Sequence, residues 1–117
     1  MAVLSTGPIE NSLVNGVRST QEVTIKFVNR DSVNTSTVLI QGYFLNGSRS
    51  LYVLEQIILA PNEVQSRNYF ANFDAFEFVF TTSGLAEENS EISVWGRNLS
   101  GEIMSLHRLV SDENLVE

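Results

Sequence analysis

Glu22-Val23-Thr24-Ile25-Lys26-Phe27-Val28 is the stretch that decides the fold class. Val23, Ile25 and Phe27 fall on one side of an extended chain, and Thr24 and Lys26 on the other. That period of two is what a strand with one buried face requires. Asn29-Arg30-Asp31-Ser32 then breaks the run with turn-forming residues. Downstream, Thr37 to Leu45 sets Val38, Ile40, Gly42 and Phe44 against Leu39, Gln41 and Tyr43. Asn46-Gly47 reads as a hairpin turn, because both residues accept positive φ. Ser50 to Ala60 follows, rich in Leu, Ile and Val. Leu51, Leu54, Glu55 and Ile58 of this run also fit a helical stripe, but β-branched Val53, Ile57 and Ile58 and the tight flanking turns favour a strand.

Pro61-Asn62 ends that run, and Val64 to Phe70 makes a shorter strand. Asn72-Phe73-Asp74 leads to Phe76-Glu77-Phe78-Val79-Phe80, whose three Phe residues share a buried face. Ser83 to Ser90 is the longest loop and carries Glu87-Glu88. Glu91 to Asn98 sets Ile92 and Val94 opposite Trp95, and Ser100-Gly101 turns into a last strand, Ile103 to Val110. These runs predict an all-β protein, an Ig-like or jelly-roll antiparallel β-sandwich, with Val38, Ile40, Phe44, Phe76, Phe78 and Phe80 in its core.

Residues 1–20 read differently. They hold Val3, Leu4, Ile9, Leu13 and Val17 at irregular spacing, and Pro8 cannot donate to a sheet ladder. The expected organisation is an extended N-terminal arm (1–20), a sandwich domain (21–110) and an acidic C-terminal tail (111–117) with Asp112, Glu113 and Glu117. Ordering a residue costs about 1–2 kcal/mol, which scattered anchors offset poorly without a partner surface. An exposed sheet edge is such a surface. The five apolar residues of the arm are therefore the expected self-assembly contacts, acting in trans.

The 117 residues suit one domain with one core, which needs no disulfide or metal staple. The net charge is −7, and no basic run marks a nucleic-acid partner. No stretch is apolar for the roughly 18 residues of a membrane span, so no membrane insertion is expected. The chain has no cysteine, which removes thiolate metal sites and cysteine nucleophiles. The opening MAVLSTGPIEN has neither a positive segment nor an apolar run of signal-peptide length. The chain is thus expected to be made in the cytoplasm, with display on a cell or spore surface or in an extracellular fibre left open.

His107 is the one histidine, without a second His or any Cys to make a metal site or a triad. Asp74 with Glu77, Glu87 with Glu88 and Asp112 with Glu113 pair acids in loop or tail positions, where solvated charge is the simpler reading. Residues 29–34 lack the repeated Asp and closing Glu of a calcium loop. Asn34-Thr35-Ser36, Asn46-Gly47-Ser48 and Asn98-Leu99-Ser100 match the glycosylation pattern but also reflect the taste of Asn and Ser for turns. Tyr43, Tyr52, Tyr69 and Trp95 offer an aromatic strip for carbohydrate, against which stands the need for packing. No cofactor, metal site or catalytic residue is expected, and the chain reads as a non-enzyme.

The segments Phe76 to Gly84, Ile92 to Asn98 and His107 to Val110 resemble small β-sandwich proteins of spore-forming Firmicutes. The broader outline, with its extended N-terminal arm, Val-rich strands ending in Asn and Pro61-Asn62 turn, is similar to the subunits of endospore appendages (Ena). That resemblance implies a jelly-roll subunit that polymerises into a fibre, each N-terminal arm touching neighbouring subunits. The arms of that family carry cysteines that link subunits covalently, and this chain has none. The expected function is a structural subunit that self-assembles into a bacterial surface or spore-associated fibre through its arm and strand augmentation. A β-sandwich adhesion or carbohydrate-binding module, or a phage or capsid accessory protein, is the alternative.

Overall fold

The computed structural model describes residues 1–107 and 110–111. They form β1 (Ala2–Ser5), β2 (Ile9–Glu10), β3 (Glu22–Asn29), β4 (Ser36–Leu45), β5 (Arg49–Leu59), β6 (Val64–Phe70), β7 (Ala75–Ser83), β8 (Ser90–Arg97), β9 (Ile103–His107) and β10 (Val110–Ser111). One 3-10 turn spans Glu87–Asn89. A larger sheet runs β10-β1-β7-β4-β5, with β2 also paired to β7, and a smaller one runs β6-β3-β8-β9. Every pairing is antiparallel. The chain is an all-β sandwich of two packed sheets.

The alternation in residues 22–28 sets how the sheets meet. Val23, Ile25 and Phe27 are fully buried, and Val94 of β8 joins them from the same sheet. Facing them are Val38, Ile40, Ile57, Leu59, Phe76, Phe78 and Phe80 of the larger sheet. Phe27 meets Phe80 edge-on across the gap, ring centres 5.9 Å apart, and Tyr69 stacks on Phe78 at 5.7 Å. Of the expected core, Phe44 is the exception. It is only partly buried, because it lies where β4 leaves the sandwich, and its ring stacks on Phe73 at 5.1 Å.

Gly42 permits the tightest approach in the larger sheet. A Cβ there would lie 2.8 Å from Phe78 and 2.9 Å from Val53. The β4–β5 ladder shifts register beside this residue, leaving Tyr52 as the extra residue between Leu51 and Val53. Both ends of the sandwich are held by a buried amide. The Asn11 carboxamide donates to the carbonyls of Thr20, Ala71 and Phe73 and accepts from the Thr20 N–H. At the other end Asn29 donates to the carbonyls of Asn34, Leu59 and Ala60 and accepts from the Asp31 N–H. Irregular chain can be buried only when its carbonyls are matched in this way.

Residues 1–20 do not form a single extended arm. β1 pairs with β7 from Ala2↔Thr82 to Ser5↔Val79, and β2 adds Ile9↔Phe76. Pro8 costs nothing, because it falls in the gap between the two short strands, where Gly7 turns at φ 66° and Thr6 continues the bonding to Phe78. The folded unit thus begins at Ala2 rather than at residue 21. The expected last strand also divides, since β9 pairs with β8 whereas Val110 and Ser111 pair with β1 in the other sheet. Residues 112–117 of the expected acidic tail lie outside the described residues.

Candidate assembly surfaces

The five apolar residues of the N-terminal segment go to different places. Leu4 and Ile9 pack against the core. Val3 stands opposite Thr81 on the outer face of the larger sheet, partly exposed. Leu13 and Val17 are exposed at 53% and 57%, on a small hairpin that also presents Val14. Val14 and Val17 exchange both backbone hydrogen bonds around Asn15-Gly16, whose φ values are 52° and 79°. Positive φ at both central residues marks the primed hairpin turn. At Asn46-Gly47, where the sequence points to such a turn, only Gly47 has positive φ. Arg18 ties the hairpin base to the body through Asp74 at 2.6 Å and Asn72 at 3.2 Å.

A second surface lies on β5, an edge strand of the larger sheet. Leu51, Leu54 and Ile58 point outward with exposures of 46%, 63% and 59%. Leu39 and Tyr43 on β4 extend the row, with the neutral Gln41 and Gln56 interleaved on the same face. Its charges match each other within the chain: Arg49 covers the Tyr43 ring at 3.7 Å and bonds Glu77 at 2.8 Å. An apolar, charge-neutral face is unusual on a chain of net charge −7.

Between the two sheets this side is stitched shut. Glu55 of β5 accepts from the Tyr69 hydroxyl at 2.5 Å and from Arg67 at 3.0 Å, both on β6. These bonds, the Tyr69 one foremost, hold the Glu55 carboxyl below its usual range, and burial pushes the Tyr69 and Tyr52 phenols up. Gln65 caps the Ile58 carbonyl and the Tyr52 hydroxyl bonds the Phe70 carbonyl. The expected aromatic strip is therefore not assembled. Tyr52 and Tyr69 turn inward onto Phe78, Tyr43 lies on the outer face of the larger sheet, and Trp95 lies on the outer face of the smaller one, opposite Thr24.

His107 is half-buried edge-on to Phe76, with Ser105 Oγ 3.0 Å from its Nε2. Burial lowers its pKa from the usual 6.5. Asp74 and Glu77 part company, one bonded to Arg18 and the other to Arg49. Asp31 accepts the N–H groups of Val33 and Asn34, which lower its pKa, so the 29–34 loop is closed on itself. Among the described residues no three His, Asp or Glu side chains gather as a metal site, and no helix is long and apolar enough to cross a membrane.

No family model matches the sequence, and no curated protein matches it. The fold is similar to that of Thermotoga maritima 1070, whose crystal structure superposes with a TM-score of 0.50. The match covers 94% of this chain and 89% of that one at 8% sequence identity. At that identity the likeness shows the sandwich and nothing of the activity.

Proposed function

We propose that this protein is a structural, non-enzymatic subunit that associates with copies of itself into a bacterial surface or spore-associated fibre. The observation that carries the reading is the neutral apolar row Leu51, Leu54 and Ile58 on the outer face of β5. Elsewhere a net charge of −7 makes copies repel, so the neutral face is where two can meet. Each such side chain contributes about 1.5–3 kcal/mol when fully buried. Six of them in a face-to-face pair reach the order of the association cost, about 4–15 kcal/mol, so the contact suits an assembly reinforced elsewhere.

A fibre needs a second, different joint, because one isologous face closes into a dimer. The N-terminal segment offers it. β1 is held by a short ladder to β7, and exchanging it onto the β7 of a neighbour reproduces the same pairs in trans, with Val3, Leu4 and Ile9 as anchors and Leu13 and Val17 in the connecting loop. The test is sedimentation velocity of the full chain across a concentration series, with negative-stain microscopy of the largest species. Wild type is expected to grow in size with concentration, and Ile58→Lys to stay monomeric with an unchanged fold. A strictly monomeric wild type at high concentration would overturn the reading.

A further inference from the structure

The outer face of the smaller sheet carries an open groove of about 440 Å³, whose floor and walls are Glu22, Thr24 and Lys26 of β3, Ser66 and Asn68 of β6, and Arg97 of β8. A second hollow, sharing Glu22 and Gly101 with the first, lengthens it toward Phe70 and Leu99. The two together make one elongated trough across the strands.

The charges in this trough are what set it apart. Arg18, Arg30, Arg49 and Arg67 each form an ion pair with a carboxylate. Lys26 and Arg97, the other two Lys or Arg side chains there, form no ion pair among the described residues, and both line the trough. Arg97 is instead fixed by neutral partners, donating to Thr24 Oγ1 at 2.7 Å and to the Gly101 carbonyl at 2.8 Å. Thr24 in turn donates its hydroxyl hydrogen bond to Asn68 Oδ1 at 2.7 Å, which turns the Asn68 amide NH₂ away from that bond. The guanidinium is thus positioned without being neutralised. Glu22, though opposite Arg97 in the β3–β8 ladder, makes no ion pair among the described residues.

We infer that this trough binds an acidic glycan, a sugar chain that carries carboxylates as well as hydroxyls. The two free cations match carboxylates, with Arg97 able to bind one in a bidentate fork. Glu22, Ser66 and the Asn68 amide supply the mixture of acceptors and donors that sugar hydroxyls require. Phe70, exposed at 59%, offers the far end of the trough an apolar ring for the C–H face of a sugar. A simple anion would leave Glu22 facing like charge, and a neutral glycan would leave both cations unmatched. The trough lies on the opposite sheet from the β5 row, so a sugar bound there leaves the apolar face free.

The test uses isothermal titration or chemical-shift mapping of the full chain with three probes: an oligogalacturonate, a neutral glucan oligomer of the same length and a short poly-glutamate. The oligogalacturonate is expected to bind, with the shifts centred on residues 22–26, 66–70 and 97–101, and to weaken as salt is raised. Lys26→Gln, an exposed substitution that leaves the Arg97–Thr24–Asn68 bonds untouched, is expected to weaken it about tenfold, and Arg97→Gln at least as much. Equal binding of the neutral oligomer would overturn the role of the cations. Equal or tighter binding of poly-glutamate would show an acidic-peptide site and overturn the glycan assignment. No binding by oligogalacturonate, or binding indifferent to Lys26→Gln, would overturn the inference altogether.

Discussion

Asn11 and Asn29 each turn a carboxamide inward and donate to three backbone carbonyls at the ends of the strands. Each buried group left unmatched costs about 1–3 kcal/mol, so Asn29→Ala is expected to lower stability by at least that much. Asn29→Asp is expected to cost more, at least about 3 kcal/mol, since a carboxylate cannot donate and would face the Leu59, Ala60 and Asn34 carbonyls as an uncompensated charge. Urea denaturation at pH 7 ranks the two, and equal costs would show that the amide is not the essential donor. His107 sets a separate pH response. Its folded pKa lies below 6.5, so the unfolded chain takes up the proton first as pH falls. The stability it contributes is present above about 6.5 and is lost as pH drops below that value toward the lowered folded pKa. Glu55 and Asp31 also have lowered pKa values, but from 4.5 and 3.8, so their losses come at lower pH. Melting temperatures at pH 7.5 and 5.5 should therefore differ more in the parent than in His107→Gln.

β5 shows why a strand can imitate a helix in sequence. Leu51 and Leu54 are three apart yet share the outer face, because Tyr52 is the extra residue of the bulge beside Gly42. One inserted residue turns the period of two into a local period of three, and Ile58 then completes the helical look. The bulge also depends on Gly42: a Cβ 2.8 Å from Phe78 forces the ring or the strand to move, so Gly42→Ala is expected to cost about 1–3 kcal/mol. A Gly42→Ala protein with an unchanged melting temperature would mean that the two sheets have slack at this point. On the inner face, Phe78→Ala should cost about 3–5 kcal/mol, because Phe78 is fully buried among Phe76, Phe80 and Tyr69. The N-terminal element has its own signature. Deleting residues 2–10 uncovers the β7 edge and removes Leu4 and Ile9 from the core, so a lowered melting temperature is expected. A truncated chain as stable as its parent would show that β1 and β2 add nothing in cis.

For the molecule as a whole, the two outer faces differ in chemistry: a neutral apolar row on the larger sheet and an ionic trough on the smaller. They predict opposite responses to salt. Raising ionic strength screens the repulsion between copies of net charge −7 and should promote self-association. The same change should weaken binding of a carboxylated sugar at Lys26 and Arg97. Light scattering and ligand titration at 50 and 500 mM salt would measure both on one preparation, and parallel responses would contradict the division of roles between the faces.

The sequence by itself determined the β-class and the positions of the main strands, because alternation such as Val23-Thr24-Ile25-Lys26-Phe27 is a local consequence of a half-buried strand. It also determined most of the core, since Phe76, Phe78 and Phe80 can share a face in only one register. The tertiary structure alone decided where the ends of the chain go. Nothing local in Leu4 or Val110 says that β1 and β10 will pair with each other, for the residues that meet are separated by nearly the whole chain. Nor could composition foresee that Tyr69 would turn inward to Glu55 while Lys26 and Arg97 share one face without an acidic partner among the described residues. Whether a charge is matched depends on which strands become neighbours, and in a sandwich with connections that cross between sheets that is set by long-range pairing.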